Sequence, residues 1–327
     1  MQVRVFGAGA VGGHIAVRLL AAQADEIAVV ARGTMLQAIR ARGLTLRSGG
    51  QEISVQVPLA TDDPSTLPPQ DLIAVALKAH ALPGAAAAIA KLIAPRGCAI
   101  FMLNGIPWWW RHGLPGAGGT LPLLDPDSTL WNHVRPERAL GCIVHSPNDA
   151  VEPGVISHSG PDYLILGEPD NTSSERLKTA VDVFNRSGIE IKPAIDLRRE
   201  IWRKLAQNAS GNTLAALTRL TLGQLGADPE LRQLMVGVMR ETLAVAAALG
   251  WDLRAEIDVE KVSQRGAGRD MGVRSSMLQD TLKKRPLEIE ALLGQTQAFA
   301  REAGVSVPVI DIVLPLLRAL DRAQRAD

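Results

Sequence analysis

The stretch Val3-Arg4-Val5-Phe6-Gly7-Ala8-Gly9-Ala10-Val11-Gly12-Gly13 decides the fold. Its first four residues read as a buried strand, and Ala10–Ala22 reads as the helix that follows. Gly7, Gly9 and Gly12 fit the pattern G-x-G-x-x-G. Alone such a pattern is weak; set between a strand and a helix it marks dinucleotide binding. Gly7 permits the tight turn, Gly9 lets backbone approach a pyrophosphate, and Gly12 lets helix and strand pack closely. The helix start, with Ala10 and Val11 in its first turn, adds N–H donors and the positive end of the dipole.

The next strand predicted is 26–31, and the residue that ends it selects the dinucleotide. A carboxylate about 20 residues beyond the glycines ordinarily holds the ribose hydroxyls. This chain has Arg32 there. A cation can pair with a 2′-phosphate, and each charge-assisted hydrogen bond contributes about 1.5–3 kcal/mol. The expected cofactor is therefore NADPH.

Two further apolar runs, 72–77 (LIAVAL) and 99–103 (AIFML), read as strands covered on both faces, as in a parallel sheet. In such sheets ligands sit outside the carboxyl ends of the strands. Lys78 and Asn104 follow those ends, so Lys78 is expected near the adenosine phosphates and Asn104 near the nicotinamide ribose or the reacting carbon. Each also has a plain reading, as solvated punctuation and as half of an Asn-Gly turn.

Composition narrows the function classes. The chain has 327 residues, 46% hydrophobic and 21% charged, which suits one or two folded domains rather than a disordered chain. Lys plus Arg is 35 against 34 for Asp plus Glu, a net charge of +1 that lacks the basic excess of a nucleic-acid binder. Two cysteines, Cys98 and Cys142, exclude a disulfide scaffold and favour a reducing compartment. The six histidines show no ligand spacing, so no metal is expected. No apolar run is long enough to span a bilayer, and the N-terminus lacks the pattern of a signal peptide. The expectation is a cytoplasmic protein that binds neither membrane nor nucleic acid.

From about Asp196 the periodicity becomes helical, over 197–217, 228–249, 286–303 and beyond Pro308. The reading is an α/β plus all-α chain: a Rossmann domain over 1–195 and an all-helical domain over 196–327. The helix around 204 carries Lys204, Asn208 and Asn212 at i, i+4 and i+8, which places them in one stripe. Asparagine competes with the helical backbone, so two of them beside Gly211 depart from local preference, as functional sites often do. A lysine ammonium can protonate the alkoxide that forms when hydride reaches a carbonyl, and the amides can hold the polar groups of a substrate. Spacing alone makes Ser276 with Gln279 a capping box, and Pro286 with Glu288 a helix start.

Taken in order, GAGAVGG from Gly7, Arg32, LKAH around Lys78, NGIP at Asn104, KLAQNASGN at 204–212, SSMLQD at 275–280 and PLEIEALLG at 286–294 resemble the ketopantoate reductases (2-dehydropantoate 2-reductases) along nearly the whole chain. The resemblance implies NADPH-dependent reduction of 2-dehydropantoate to pantoate, on the route to coenzyme A, with the active site in the cleft between the two domains. It implies Lys204 as the general acid and Glu288 as the group that binds the substrate hydroxyl. It implies Ser276 at the carboxylate, Asn208 and Asn212 lining the substrate site, and Asn104 beside nicotinamide and substrate. It also raises Glu288 and Ser276 from capping residues to site candidates.

The chain departs from some members at Val273 and Leu222, where they carry amides, and in the triplet Trp108-Trp109-Trp110 with its long loop to Pro136. Those departures leave open a reductase of another bulky 2-oxo acid. A dehydrogenase running in the oxidative direction and a non-catalytic NADPH-binding sensor are the other readings. The expected partner is a small 2-oxo acid. A homodimer is compatible with the sequence, which does not fix the oligomeric state.

Overall fold

The computed structural model describes residues 3–22, 27–116, 118–264, 272 and 274–326; Val273 lies outside them. The chain forms two compact units. The first comprises Met1–Leu103 with Pro107–Leu197, and the second Asn104–Ile106 with Arg198–Asp327. No described helix is long and apolar enough to cross a membrane.

The first unit is built on an eight-stranded sheet. Its strands are β1 (Val3–Phe6), β2 (Ile27–Val30), β5 (Leu59–Thr61), β6 (Gln70–Val75), β7 (Ile93–Met102), β8 (Ala139–His145), β11 (Tyr163–Gly167) and β12 (Glu190–Pro193). A second, four-stranded sheet contains β3 (Leu44–Ser48), β4 (Gln51–Val55), β9 (Asn148–Glu152) and β10 (Val155–His158). The large sheet runs β12-β11-β8-β7-β6-β1-β2-β5, and the six strands from β8 to β5 pair in parallel. The order reverses between β1 and β6, where the chain leaves in opposite directions; ligands of doubly wound sheets bind at such a switch point.

Four of the strand expectations hold in type, and three of them shift in extent. The run 72–77 is strand only to Val75, and the run at 99–103 is the end of a longer strand starting at Ile93. Pro95-Arg96-Gly97 lies within β7. There Gly97 passes so close to β6 that a Cβ on it would stand 2.3 Å from the carbonyl oxygen of Gln70. The strand beginning at 26 is described from Ile27, and β1 runs as expected.

Helix α1 (Ala10–Ala21) touches both sheets. That placement explains why it is buried from Gly12 to Leu19 except at Arg18. Gly13 meets the second sheet closely: a Cβ there would lie 2.6 Å from Ile156 of β10. Val5, Val29, Leu72 and Ile100 of the strands share one apolar core with Ile15 and Leu19 of α1. Helices α2 (Gly33–Arg42), α3 (Leu82–Leu92), α4 (Thr129–His133) and α5 (Glu175–Arg186) complete this unit.

The loop from Pro107 to Pro136 is mostly irregular, as its glycines and prolines predict. Its tryptophans form part of the core: Trp108, Trp109 and Trp110 are each at most 2% exposed. Trp108 meets Phe101 of β7 edge to face, with centroids 5.4 Å apart.

The described α-helices of the second unit are α6 (Leu197–Thr218), α7 (Leu222–Ala227), α8 (Pro229–Ala248), α9 (Val259–Ser263), α10 (Ser276–Leu282), α11 (Gln295–Ala303) and α12 (Pro308–Ala326), and its described residues form no strand. Glu241 of α8 caps α12, its carboxylate accepting from the N–H groups of Val309 and Ile310 at 2.8 Å each. The Thr221–Gln224 capping box opens α7, where Leu222 is the first helical residue.

Candidate active site

In the first unit the glycine turn has the geometry its sequence demands. Gly7 adopts φ +99°, and a Cβ on it would lie 2.8 Å from the Leu77 side chain and 3.0 Å from the Ala76 carbonyl oxygen. A Cβ on Gly12 would lie 1.8 Å from the Gly7 carbonyl oxygen, so only glycine lets helix and turn approach this closely. Around Gly9, by contrast, a Cβ would meet nothing within 4 Å. Gly9 is the N-cap of α1 and offers no side chain to the helix end. The N–H groups of the first turn, through Ala10, Val11 and Gly12, precede the first helical bond, from Gly13 N to the Gly9 carbonyl at 2.8 Å. With no acidic residue in that turn, the arrangement suits a phosphate anion.

The other strand ends flank this turn. Arg32 follows β2, is exposed, and is the N-cap residue of α2. Gly33 and Thr34, exposed at the start of α2, stand beside it. Sequence reading passed over these two; their position after a strand end and at a helix start was the available signal. Lys78 is half-buried, three residues beyond β6, which itself neighbours β1. The glycine turn, Arg32 and Lys78 thus follow the carboxyl ends of three adjacent parallel strands.

In the second unit the stripe on α6 has the expected form. Lys204 and Asn208 are half-buried and Asn212 is buried. The Nζ of Lys204 donates to Oδ1 of Asn104 at 2.9 Å. Sequence reading placed these residues in different domains, but residues 104–106 belong to the same compact unit as α6. Gly105 secures that placement. It adopts φ +80°, a Cβ there would lie 2.2 Å from the Ala291 carbonyl oxygen, and the next N–H, of Ile106, donates to that oxygen at 2.8 Å. The Asn-Gly dipeptide is therefore a turn that also carries the hydrogen bond to Lys204.

Two capping expectations are corrected. The N-cap of α10 is Ser275, whose hydroxyl accepts from Leu278 N at 3.2 Å; Ser276 is the first helical residue and half-buried. Its side chain is thereby relieved of the capping role that spacing alone gave it. Pro286 does not open a helix either: residues 285–288 are irregular, and helical backbone starts at Ile289. The reason lies in α12. Asp321 accepts from Leu287 N at 2.9 Å, and Gln324 donates to the Arg285 carbonyl at 2.6 Å, so the backbone groups of this segment are spent on α12 rather than on a helix of their own. Glu288, buried, lies directly after it. A turn of π-helix over Glu290–Gly294 follows, with Arg318 gripping Glu290 at 2.8 and 2.6 Å. Such turns are frequent at functional sites. The structure brings Lys204 and Asn104 together directly, and helical spacing sets Asn208 and Asn212 on the face of Lys204.

A doubly wound sheet with this glycine turn, joined in one chain to a helical unit bearing a lysine and amides, defines a nicotinamide-dependent oxidoreductase acting on the CH–OH/carbonyl couple. The family description "Ketopantoate reductase PanE/ApbA" matches residues 3–171, and "Ketopantoate reductase PanE/ApbA C terminal" matches residues 196–321. The chain belongs to the ketopantoate reductase family. It is 38% identical to the 2-dehydropantoate 2-reductase of Mesorhizobium japonicum, over 98% of each chain. A crystal structure from Ralstonia solanacearum, provisionally assigned as a ketopantoate reductase, superposes with TM-score 0.90 at 35% identity, over 98% of each chain. D-mandelate dehydrogenase, solved with NADH and anilino(oxo)acetate, shares the fold at TM-score 0.83 and 20% identity, over 99% of this chain and all of that one.

Proposed function

We propose that this protein catalyses the NADPH-dependent reduction of a 2-oxo acid, 2-dehydropantoate, to the 2-hydroxy acid pantoate. The observation that carries the proposal is the 2.9 Å hydrogen bond from Lys204 Nζ to Asn104 Oδ1. An ammonium has three donors and no acceptor. Asn104 takes one of them and so fixes the direction of the ammonium, from which another would donate to the carbonyl oxygen of a bound substrate. When bound, the reduced nicotinamide supplies the hydride that reaches the substrate's C2. As negative charge develops on the oxygen, Lys204 stabilises it and gives up a proton, leaving a neutral amine that is reprotonated from water. Asn208, Asn212 and Ser276 hold the polar groups of the substrate, and Glu288 binds its hydroxyl.

The cofactor contacts fit the first unit. Gly9 has room for close approach, Ala10, Val11 and Gly12 offer N–H groups, and Arg32 supplies the charge that a 2′-phosphate needs. Lys78 serves the adenosine phosphates. The relatives' name for the reaction supports the choice of substrate. The buried tryptophans 108–110 give no reason to prefer a bulkier one. A cytoplasmic location agrees with this reaction.

The experiment is steady-state turnover of NADPH and of NADH with 2-dehydropantoate against a panel of 2-oxo acids. The expected result is a kcat/KM for 2-dehydropantoate with NADPH well above every other pairing. Lys204→Ala should lower kcat by about 10²–10⁴-fold while NADPH still binds. Near-normal turnover in that variant would refute the assignment.

A further inference from the structure

The first unit buries a second polar cluster, drawn from distant stretches of sequence. His14 lies on α1, His158 ends β10, and Asp162 stands just before β11. The two rings meet edge to face with centroids 5.0 Å apart. One nitrogen of each and a carboxylate oxygen of Asp162 all lie within 4.8 Å of one another. His14 is 1% and His158 8% exposed.

The neighbours fix where the proton of His14 sits. The amide nitrogen of Asn148 donates to the carbonyl and to the hydroxyl oxygen of Ser146, at 2.9 Å each. Its Oδ1 is therefore the atom that faces His14 Nδ1, at 2.8 Å. An amide oxygen only accepts, so Nδ1 carries a proton. In a neutral ring the other nitrogen, Nε2, is then a bare lone pair. It is fully buried, has no hydrogen bond, and lies 3.1 Å from Asp162 Oδ2. A lone pair and a carboxylate repel at that distance unless positive charge lies between them.

A proton on Nε2 would satisfy His14 and Asp162 alone. Beside them lies a second imidazole, whose nitrogens are placed by other partners. His158 has Nε2 3.1 Å from the Pro161 carbonyl, so that nitrogen is protonated, and its Nδ1 takes the Ser48 hydroxyl at 2.8 Å. Both of its nitrogens are thus engaged, and a cation taking Nδ1 as a ligand would displace the Ser48 hydroxyl. Two imidazoles and one carboxylate are a donor set for zinc-like ions rather than for magnesium or calcium. The bond from His14 Nδ1 to an amide oxygen is the outer contact that metal-bound histidines usually make.

We propose that His14, His158 and Asp162 form a binding site for one divalent cation of the zinc type, tying α1 to β10 and to the turn before β11. Arg18 competes for it. Its guanidinium lies 3.2 Å from the same Asp162 oxygen and is a quarter exposed, so it can turn out to solvent when the cation enters. The proposal is independent of the reaction assigned above.

The test strips the full-length protein with a chelator and titrates it with Co²⁺ and then Zn²⁺. The expected result is one equivalent of Co²⁺ with a visible ligand-field spectrum, displaced by Zn²⁺, and an unfolding temperature that rises with Zn²⁺. His14→Gln and Asp162→Asn should abolish binding. Asn148→Ala should weaken it about 10–100-fold, and Arg18→Ala, which removes the competing cation, should tighten it. Because His14 is buried, the Asn148 and Arg18 variants keep the test informative if H14Q fails to fold. Absence of stoichiometric binding to the wild type, or binding indifferent to D162N and R18A, overturns the proposal. The cluster would then be an imidazolium–carboxylate pair that holds a proton.

Discussion

Lys204 Nζ and Asn104 Oδ1 are joined by a hydrogen bond although they stand 100 residues apart in sequence. A charge-assisted hydrogen bond contributes about 1.5–3 kcal/mol. If it aims the ammonium, Asn104→Ala should lower kcat by about 10–100-fold with a smaller change in the affinity for NADPH. Asn104→Asp should also slow turnover, because a carboxylate would hold the ammonium more tightly and make it a poorer acid. Rapid-mixing measurement of the hydride step, with coenzyme binding read separately by fluorescence, checks both. Wild-type kcat in the alanine variant would remove Asn104 from the site.

Arg32 is exposed, and its side chain makes no capping bond to α2. Removing it should therefore change stability by no more than about 0.5 kcal/mol. Arg32→Ala should raise KM for NADPH by about 10–100-fold and move KM for NADH much less. Parallel KM measurements decide this, and an equal rise for both coenzymes would separate Arg32 from the 2′-phosphate.

Gly9 and Gly12 make a matched pair of tests. A Cβ at Gly9 meets no atom of the protein within 4 Å, whereas one at Gly12 would fall 1.8 Å from a backbone oxygen that cannot swing aside. Gly9→Ala should keep the wild-type Tm and lose affinity for NADPH, since the methyl group occupies the approach to the pyrophosphate. Gly12→Ala should lose both, with a stability cost of about 1–3 kcal/mol. Calorimetry of the two variants, with and without NADPH, distinguishes these outcomes.

The parts legible in the sequence were those fixed by local rules. The glycine turn, the strand ends at Arg32 and Lys78, and the stripe on α6 follow from spacing within about 20 residues. What was not legible depends on partners far along the chain. The second sheet joins β3 to β10 in parallel, pairing Thr45 with Val155, and no local pattern announces that. Residues 285–288 look like a helix start but are held out of a helix by Asp321 and Gln324 of α12. The choice between Ser275 and Ser276 as N-cap is a matter of one residue, where two adjacent serines leave spacing undecided. The histidine–aspartate cluster escaped for a like reason, since its ligands at 14, 158 and 162 share no motif.

Asp162 makes stability depend on acid. Its carboxyl lies at about 2 in the folded chain against an ordinary 3.8. A depressed value means the folded state favours the ionised form. The stabilisation is complete above the ordinary value and is lost as pH falls toward 2. In the presence of chelator, Asp162→Asn should lower stability at neutral pH by up to about 2 kcal/mol. The gap between variant and wild type should narrow between about pH 5 and pH 2. Urea titrations across that range test it; a gap independent of pH would mean the carboxylate's charge is not what stabilises the fold.

Glu168 and Arg176 form an enclosed ion pair, with the carboxylate only 3% exposed. Arg176 donates from Nε at 2.7 Å and from a terminal nitrogen at 2.5 Å, and the Ser174 hydroxyl donates to the same carboxylate. The guanidinium also reaches the backbone carbonyls of Glu137 and Ala139, so it ties the chain entering β8 to the start of α5. The carboxylate's hydrogen bond is the chief reason the guanidinium holds its proton more firmly than usual, against the effect of burial. Removing one partner strands a buried charge, so Arg176→Met should cost about 3–5 kcal/mol. Adding Glu168→Gln to it removes the stranded charge and should recover part of that loss. Chemical denaturation of the two single variants and the double variant measures the coupling. Strict additivity would show that the pair acts only through its separate contacts to the backbone.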